Sequence, residues 1–163
     1  MEDEHPETGH PGPMSADENE TQTPPPGHRP APGVWPTLSY RDADAAISYL
    51  ADVVGFVVSE VHRGDPDRPV EHAELLWPFG GGIMLGTDQP DGRWSGAVGG
   101  PGTSTAYLAA PVSVVADVAG RVAGAGWTIS QPLADTGYGA VGFTFLDPEG
   151  NAWNLGTYLG SGF

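Results

Sequence analysis

The chain contains no cysteine and no lysine. The first absence excludes a disulfide framework, a thiolate nucleophile and any metal site built on sulfur. The second leaves six arginines as the only fixed cations against 21 acidic residues, so the formal net charge is −15. Nucleic acids and anionic membranes bind clustered positive charge, and this sequence has none to offer. No apolar run approaches the ~20 residues that cross a bilayer. A basic start followed by an apolar core, the mark of a secretory leader, is also missing. The expectation is a soluble, cytoplasmic protein that engages neither nucleic acid nor membrane.

What is present divides near residue 32. Residues 1–32 hold seven acidic residues, eight prolines and one arginine, with almost nothing apolar. A segment of that makeup does not bury enough surface to offset its ordering entropy, so it reads as a disordered tail. Its histidines, His5, His10 and His28, are scattered and read as solvated. Residues 33–163 suit one domain with a moderate core.

That domain repeats itself. Asp42 opens a helical segment that stops at Gly55, and Ser113 opens another that stops at Gly126. Both begin on a good N-cap residue and end on a glycine suited to the left-handed C′ position. A strand-like run precedes each, Val34–Tyr40 and Thr103–Ala109. Others follow: Phe56–Arg63, Val70–Trp77 and Gly82–Thr87 in the first half, and Trp127–Ile129, Gly142–Asp147 and Ala152–Tyr158 in the second. The halves span about 33–88 and 103–159, joined by a Gly-, Pro- and Asp-rich link at 88–102. Asp147-Pro148-Glu149-Gly150 carries a type I turn signal. The glycine run Gly80–Gly82 is no phosphate loop, because no Lys-Ser/Thr and no helix follow it. The fold class is α+β, with two tandem βαβββ modules forming a cupped mixed sheet around a shared cavity.

Three stretches resemble the vicinal oxygen chelate superfamily of glyoxalases, extradiol dioxygenases and bleomycin-resistance proteins. They are Val34–Asp42 with Ala45-Ala46-Ile47, Asp135–Gly139, and Phe143–Trp153, the last looking most like the uncharacterised glyoxalase-like (PhnB-like) members. The resemblance implies a cup built from both halves, a small-molecule ligand and a homodimer. In metalloenzyme members the first and fourth strands of each half supply one metal ligand apiece. Here those positions fall on Trp35, near Met84, on Ala106 and on Asn154, none of which is the His, Glu or Gln that a divalent site would need. No metal and no cofactor are therefore expected.

Side chains alternate faces along a strand. With Trp35 pointing into the cup, Thr37 and Ser39 point there too, while Val34, Leu38 and Tyr40 face the helices. The same alternation puts His72, Glu74, Leu76, Met84, Ser104, Ala106, Leu108, Asn154 and Tyr158 on the cup side. Tyr138 joins them at the rim, and Trp94 is either a lid or incidental surface. Trp77, Trp127 and Trp153 read as core. The cup is then mostly apolar with a few placed polar groups, the usual makeup of a small-molecule site.

His72 and Glu74 form the sharpest polar pair: a ligand-orienting or acid–base pair, or a solvated pair on an exposed face. Alternation alone does not choose between these. A metal held by His72, Glu74 and His62 ranks below both, because His62 is read as facing away from His72 and the register between their strands is unknown. The favoured function is a metal-independent protein that sequesters a hydrophobic or aromatic molecule, with cationic ones among the candidates because an acidic surface would attract them. The alternative is an enzyme of the glyoxalase-like lyase type, or one using His72 and Glu74; a partner-binding module with a vestigial cup is a third reading.

Deleting residues 1–32 is expected to leave thermal unfolding unchanged. A fall of several degrees, equivalent to about 1 kcal/mol, would show that the tail docks on the domain.

Overall fold

Two runs of strand–helix–strand–strand–strand build the domain, as the repeat implies. In chain order they are β1 (Thr37–Tyr40), α1 (Ala43–Tyr49), β2 (Val57–Arg63), β3 (Val70–Leu76) and β4 (Gly82–Thr87). The second run is β5 (Thr105–Ala109), α2 (Val112–Gly124), β6 (Ile129–Asp135), β7 (Val141–Leu146) and β8 (Ala152–Gly156). The computed structural model describes residues 32–92, 99–137 and 139–161; residues 1–31, Trp94 and Tyr138 lie outside the described residues. Each half is a four-stranded mixed sheet, ordered β1-β4-β3-β2 and β5-β8-β7-β6. The first and fourth strands run parallel, and the remaining neighbours are antiparallel. The α+β class with tandem βαβββ modules is thus the observed architecture.

The helices obey local rules, with one surprise. The Asp42 carboxylate accepts the Ala45 N–H at 3.0 Å and caps α1. Gly55, at φ 106°, ends it after a π-helical turn over Leu50–Val54. The second helix does not begin at Ser113. It starts one residue earlier behind Pro111, whose φ of −58° is already helical and which gives no side-chain cap. Its buried residues Val115, Val118 and Val122 fall on one stripe. β6 also runs further than expected, to Asp135, and carries Pro132. An edge strand tolerates proline because its outer N–H groups have no ladder partner.

One core serves both halves. Leu38, Tyr40, Leu75 and Leu85 from the first sheet join Phe143, Phe145, Trp153 and Leu155 from the second, with Val54, Val118 and Val122 from the helical segments. Alternation holds at Leu38/Tyr40, Ala73/Leu75/Trp77, Ile83/Leu85 and Trp153/Leu155, all of which are buried.

The halves are also tied by an exchange of turns. The β3–β4 turn closes with Trp77 N–H donating to Gly81 O, and the β7–β8 turn closes alike with Asp147 N–H donating to Asn151 O. Each turn reaches the strand end of the opposite half. Trp77 Nε1 donates to Ala109 O at 2.7 Å, at the end of β5. The Asp147 carboxylate accepts Tyr40 Oη at 2.8 Å, from the end of β1. Asp147 is only 4 % exposed, yet it also takes Trp153 Nε1 and Asn151 Nδ2 and the N–H groups of Glu149 and Asn151. A buried carboxylate surrounded by donors is the condition under which burying a charge is tolerable. Beside it, the Glu149 carboxylate accepts the N–H groups of Arg41 at 2.7 Å and Asp42 at 2.9 Å, at the start of α1.

Asp147→Ala is expected to strand three side-chain donors and to cost about 3 kcal/mol or more, near 10 °C of melting temperature. Glu149→Ala removes the carboxylate at the start of α1 and its ion pair with Arg41, and should cost about 1 kcal/mol. Chemical denaturation of the two variants checks the order. Burial, reinforced by the Asp147 charge, pushes the Tyr40 hydroxyl far above its usual pKa, and burial does the same for Tyr49. Unfolded tyrosines ionise near pH 10 while these stay protonated, so stability is full below about pH 10 and falls as pH rises beyond it. An alkaline denaturation series should show that decline.

Candidate ligand-binding site

Each sheet turns one face to the core and leaves the other open, and the open faces hold the candidate site residues. On the first, β1–β4 pairing sets Thr37 beside Met84 and Ser39 beside Gly86, while β3 places Glu74 opposite Met84. His72, Glu74 and Leu76 are half-buried on this face, between the buried Ala73 and Leu75. Trp35 lies over the end of the same face. A Cβ on Gly82 would meet its ring at 2.7 Å, and Gly82 shares parity with Met84. A depression of about 540 Å³ opens here, lined by Thr37, Ser39, Arg68, His72, Met84 and Gly86 among others.

The register overturns one expectation about this face. His62 pairs directly with His72, and Glu60 with Glu74, because the ladder between β2 and β3 slips at Val58/Glu60. The parity argument that separated the two histidines fails, since a register shift changes which residues face each other. Their rings stand 5.9 Å apart, centroid to centroid. His72 Nε2 lies 3.1 Å from Glu74 Oε1.

The open face of the second sheet is more apolar and roomier, at about 780 Å³. β5–β8 pairing puts Tyr107 beside Asn154, and β7 places Thr144 opposite Asn154. Thr144 Oγ1 donates to Asn154 Oδ1 at 2.7 Å. Gly142 and Gly156 pair directly across β7 and β8 and leave the floor bare. A Cβ at Gly156 would meet Tyr107 Oη at 2.9 Å, so the glycine lets the phenol lie down and donate to Tyr158 O at 2.8 Å. Burial pushes the Tyr107 hydroxyl above its usual pKa. Tyr158 is exposed at the edge of this depression.

Ser104, Ala106 and Leu108 do not line the cup. Leu108 is a core residue, Ala106 packs against the core, and Ser104 N–H donates to the turn residue Asn151. The cup side of β5 carries Thr105, Tyr107 and Ala109 instead. The cause is a one-residue slip. Met84 and Asn154 hold equivalent ladder positions seventy residues apart, whereas Gly55 and Gly126, which end the helices, are seventy-one apart. Counting from the helices therefore flips every side chain of β5. The two depressions described above are each lined by one half, whereas a third, of about 460 Å³, is lined by both, with Trp77 and Ile83 of the first half facing Ala106, Leu108 and Tyr158 of the second.

The resemblance places metal ligands at Trp35, near Met84, at Ala106 and at Asn154, and none of these is an imidazole or a carboxylate. The cup-facing pairs of first and fourth strands are Thr37 with Met84 and Tyr107 with Asn154. None offers an imidazole or a carboxylate, so this donor set does not fit a divalent cation.

Comparison with known proteins agrees with this architecture. Residues 34–155 match the family profile described as the Glyoxalase/Bleomycin resistance protein/Dioxygenase superfamily. The chain belongs to that superfamily. Among solved structures it is similar to TioX from Micromonospora sp. ML1, at 27% identity and a TM-score of 0.61, over 78% of this chain and 100% of that one. An integron cassette protein from the mobile metagenome of V. cholerae aligns at 18% identity and a TM-score of 0.57, over 80% and 99% of the two chains. A glyoxalase/bleomycin resistance protein from Streptomyces sp. CB03234 aligns at 19% identity and a TM-score of 0.55, over 73% and 94%. No curated protein sequence matches significantly.

Trp153, which is fully buried, and Trp35, half-buried at the cup's end, separate core from site. Trp153→Ala should cost roughly 3–5 kcal/mol, and Trp35→Ala clearly less. The reverse order in urea unfolding would mean that the open and buried faces are interchanged.

Proposed function

We propose that the protein binds a small hydrophobic or aromatic molecule against its cup faces without a metal at the superfamily's four ligand positions. The observation that carries this is the pair of open faces: a largely apolar depression floored by Gly142 and Gly156, with Tyr107, Gln131, Asp135, Thr136, Asn154 and Tyr158 as its polar groups, and no imidazole or carboxylate at Trp35, Met84, Ala106 or Asn154, nor at the strand partners Thr37 and Tyr107. Such a surface offers stacking and a hydrogen-bonding edge and gives little purchase for Lewis-acid chemistry. The net charge of −15 favours a cationic ligand. Trp35, His72 and Glu74 complete the proposed contacts on the first face, and Tyr158 those at the edge of the second.

The working unit in this reading is a homodimer in the cytoplasm, where one copy's first face closes over its partner's second face. Two things support it. Each open face is half a cup, and the edge strands β2 and β6 leave Val57, Val58, Ile129 and Leu133 exposed. A two-fold pair covers both strips with one self-complementary interface. Among the described residues no helix is long and apolar enough to cross a membrane.

A second reading is favoured by one contact, the 3.1 Å approach of His72 Nε2 to Glu74 Oε1. A carboxylate that orients an imidazole makes a general base, which a lyase-type or other enzymatic step would use.

A thermal-shift screen of planar aromatic cations, with aminoacridines as the first probes, tests the binding reading. A binder at a hundred times its Kd stabilises the fold by about 2.7 kcal/mol, a rise of several degrees. Asn154→Ala and Tyr107→Ala should abolish the rise without lowering the starting melting temperature by more than a few degrees. If no compound shifts the transition, and metal-free protein turns over a substrate in a manner lost in His72→Ala, the enzymatic reading replaces it. A monomer mass by light scattering at tens of micromolar would remove the dimer.

A further inference from the structure

We infer that the cross-strand block of Glu60, His62, His72 and Glu74 is a binding site for a divalent transition-metal ion of the zinc type. It lies on β2 and β3 and uses no residue of the first and fourth strands, which hold metals in the superfamily. It also goes beyond the ligand-binding reading, which needs no metal.

The ladder makes the block. His62 pairs with His72 and Glu60 with Glu74, so two imidazoles and two carboxylates occupy adjacent rungs on one face. Directly opposed side chains on neighbouring strands have Cβ atoms about 5 Å apart, within reach of a common ion. The donor spacings are suitable. Around a tetrahedral ion with bonds of about 2.1 Å, neighbouring donors lie about 3.4 Å apart. His72 Nε2 to Glu74 Oε1 is 3.1 Å, and His62 Nε2 to Glu60 Oε1 is 3.8 Å. The imidazole rings are 5.9 Å apart and tilted 33°. Two imidazoles bound to one zinc place their ring centres about 5 Å apart by the same bond lengths.

Electrostatics points the same way. Glu60 and Glu74 face each other as like charges, which weakens a sheet unless something neutral or positive intervenes. The arginines beside the hairpin are engaged elsewhere, Arg63 by Asp44 and Arg68 by Glu71. A divalent ion would neutralise the two carboxylates, and imidazole with carboxylate is the donor mixture that suits zinc, nickel and copper. Among the described residues no three such side chains already close on one point. The four here are 31–61% exposed, so a rotation about side-chain bonds is enough to close them.

Titration of the full-length protein with Co²⁺, read by its visible absorption, and with Zn²⁺, read by calorimetry, tests the site. The wild type is expected to take up one ion per chain that His62→Asn and His72→Asn do not. Each of these, and Glu74→Gln, should weaken that ion by roughly tenfold or more, since losing a ligand costs at least as much as losing its supporting partner. The tail histidines are common to all variants and cancel in the difference. Melting temperatures without metal should stay within about 2 °C of wild type, while Zn²⁺ raises that of the wild type more than that of any variant. Equal uptake and equal affinity across wild type and variants would overturn the assignment.

Discussion

The buried Asp147 carboxylate fixes the relation between the two halves of this protein. It sits on the β7–β8 turn of one half and accepts the Tyr40 hydroxyl from the end of β1 in the other, with Trp153 and Asn151 completing its partners. A buried charge with every lone pair engaged is stable only in the arrangement that supplies those donors. The neighbouring Glu149 holds the start of α1 and Trp77 holds the end of β5. These ties set both sheets with their Leu- and Phe-rich faces on a common core. Their opposite faces are left to solvent.

From that constraint the two open faces follow. A chain whose halves are joined through the core presents two half-cups, and β2 and β6 carry exposed valine, isoleucine and leucine at the sheet edges. The second face gains its volume from missing side chains. Gly142 and Gly156 leave the floor open, and the close approach of Tyr107 to Gly156 would not survive a larger residue. The first face is more polar and carries the paired histidines and glutamates. The two faces therefore differ in chemistry although their ladders are equivalent.

Much of this was legible in the sequence. The Asp42 cap, the left-handed Gly55 and Gly126, and the alternation of Leu38/Tyr40 and Ala73/Leu75/Trp77 are local signals that the packing did not override. Failures arose where register mattered. One extra residue between β5 and Gly126 turned Ser104, Ala106 and Leu108 to the wrong face, and the slip at Val58/Glu60 brought His62 beside His72. No local signal reports pairing between strands. Two cues were available and went unread: glycines inside β7 and β8, which mark a bare surface, and Pro132 within an edge strand.

The most direct measurement is amide chemical-shift mapping of the labelled protein with an aromatic cation found by screening. Shifts should gather on Tyr107, Gly142, Thr144, Asn154 and Gly156, with Thr37, His72 and Met84 moving in the same titration and with the same affinity. Shifts confined to the helices α1 and α2, or to one isolated surface loop, would contradict a binding site on the cup faces.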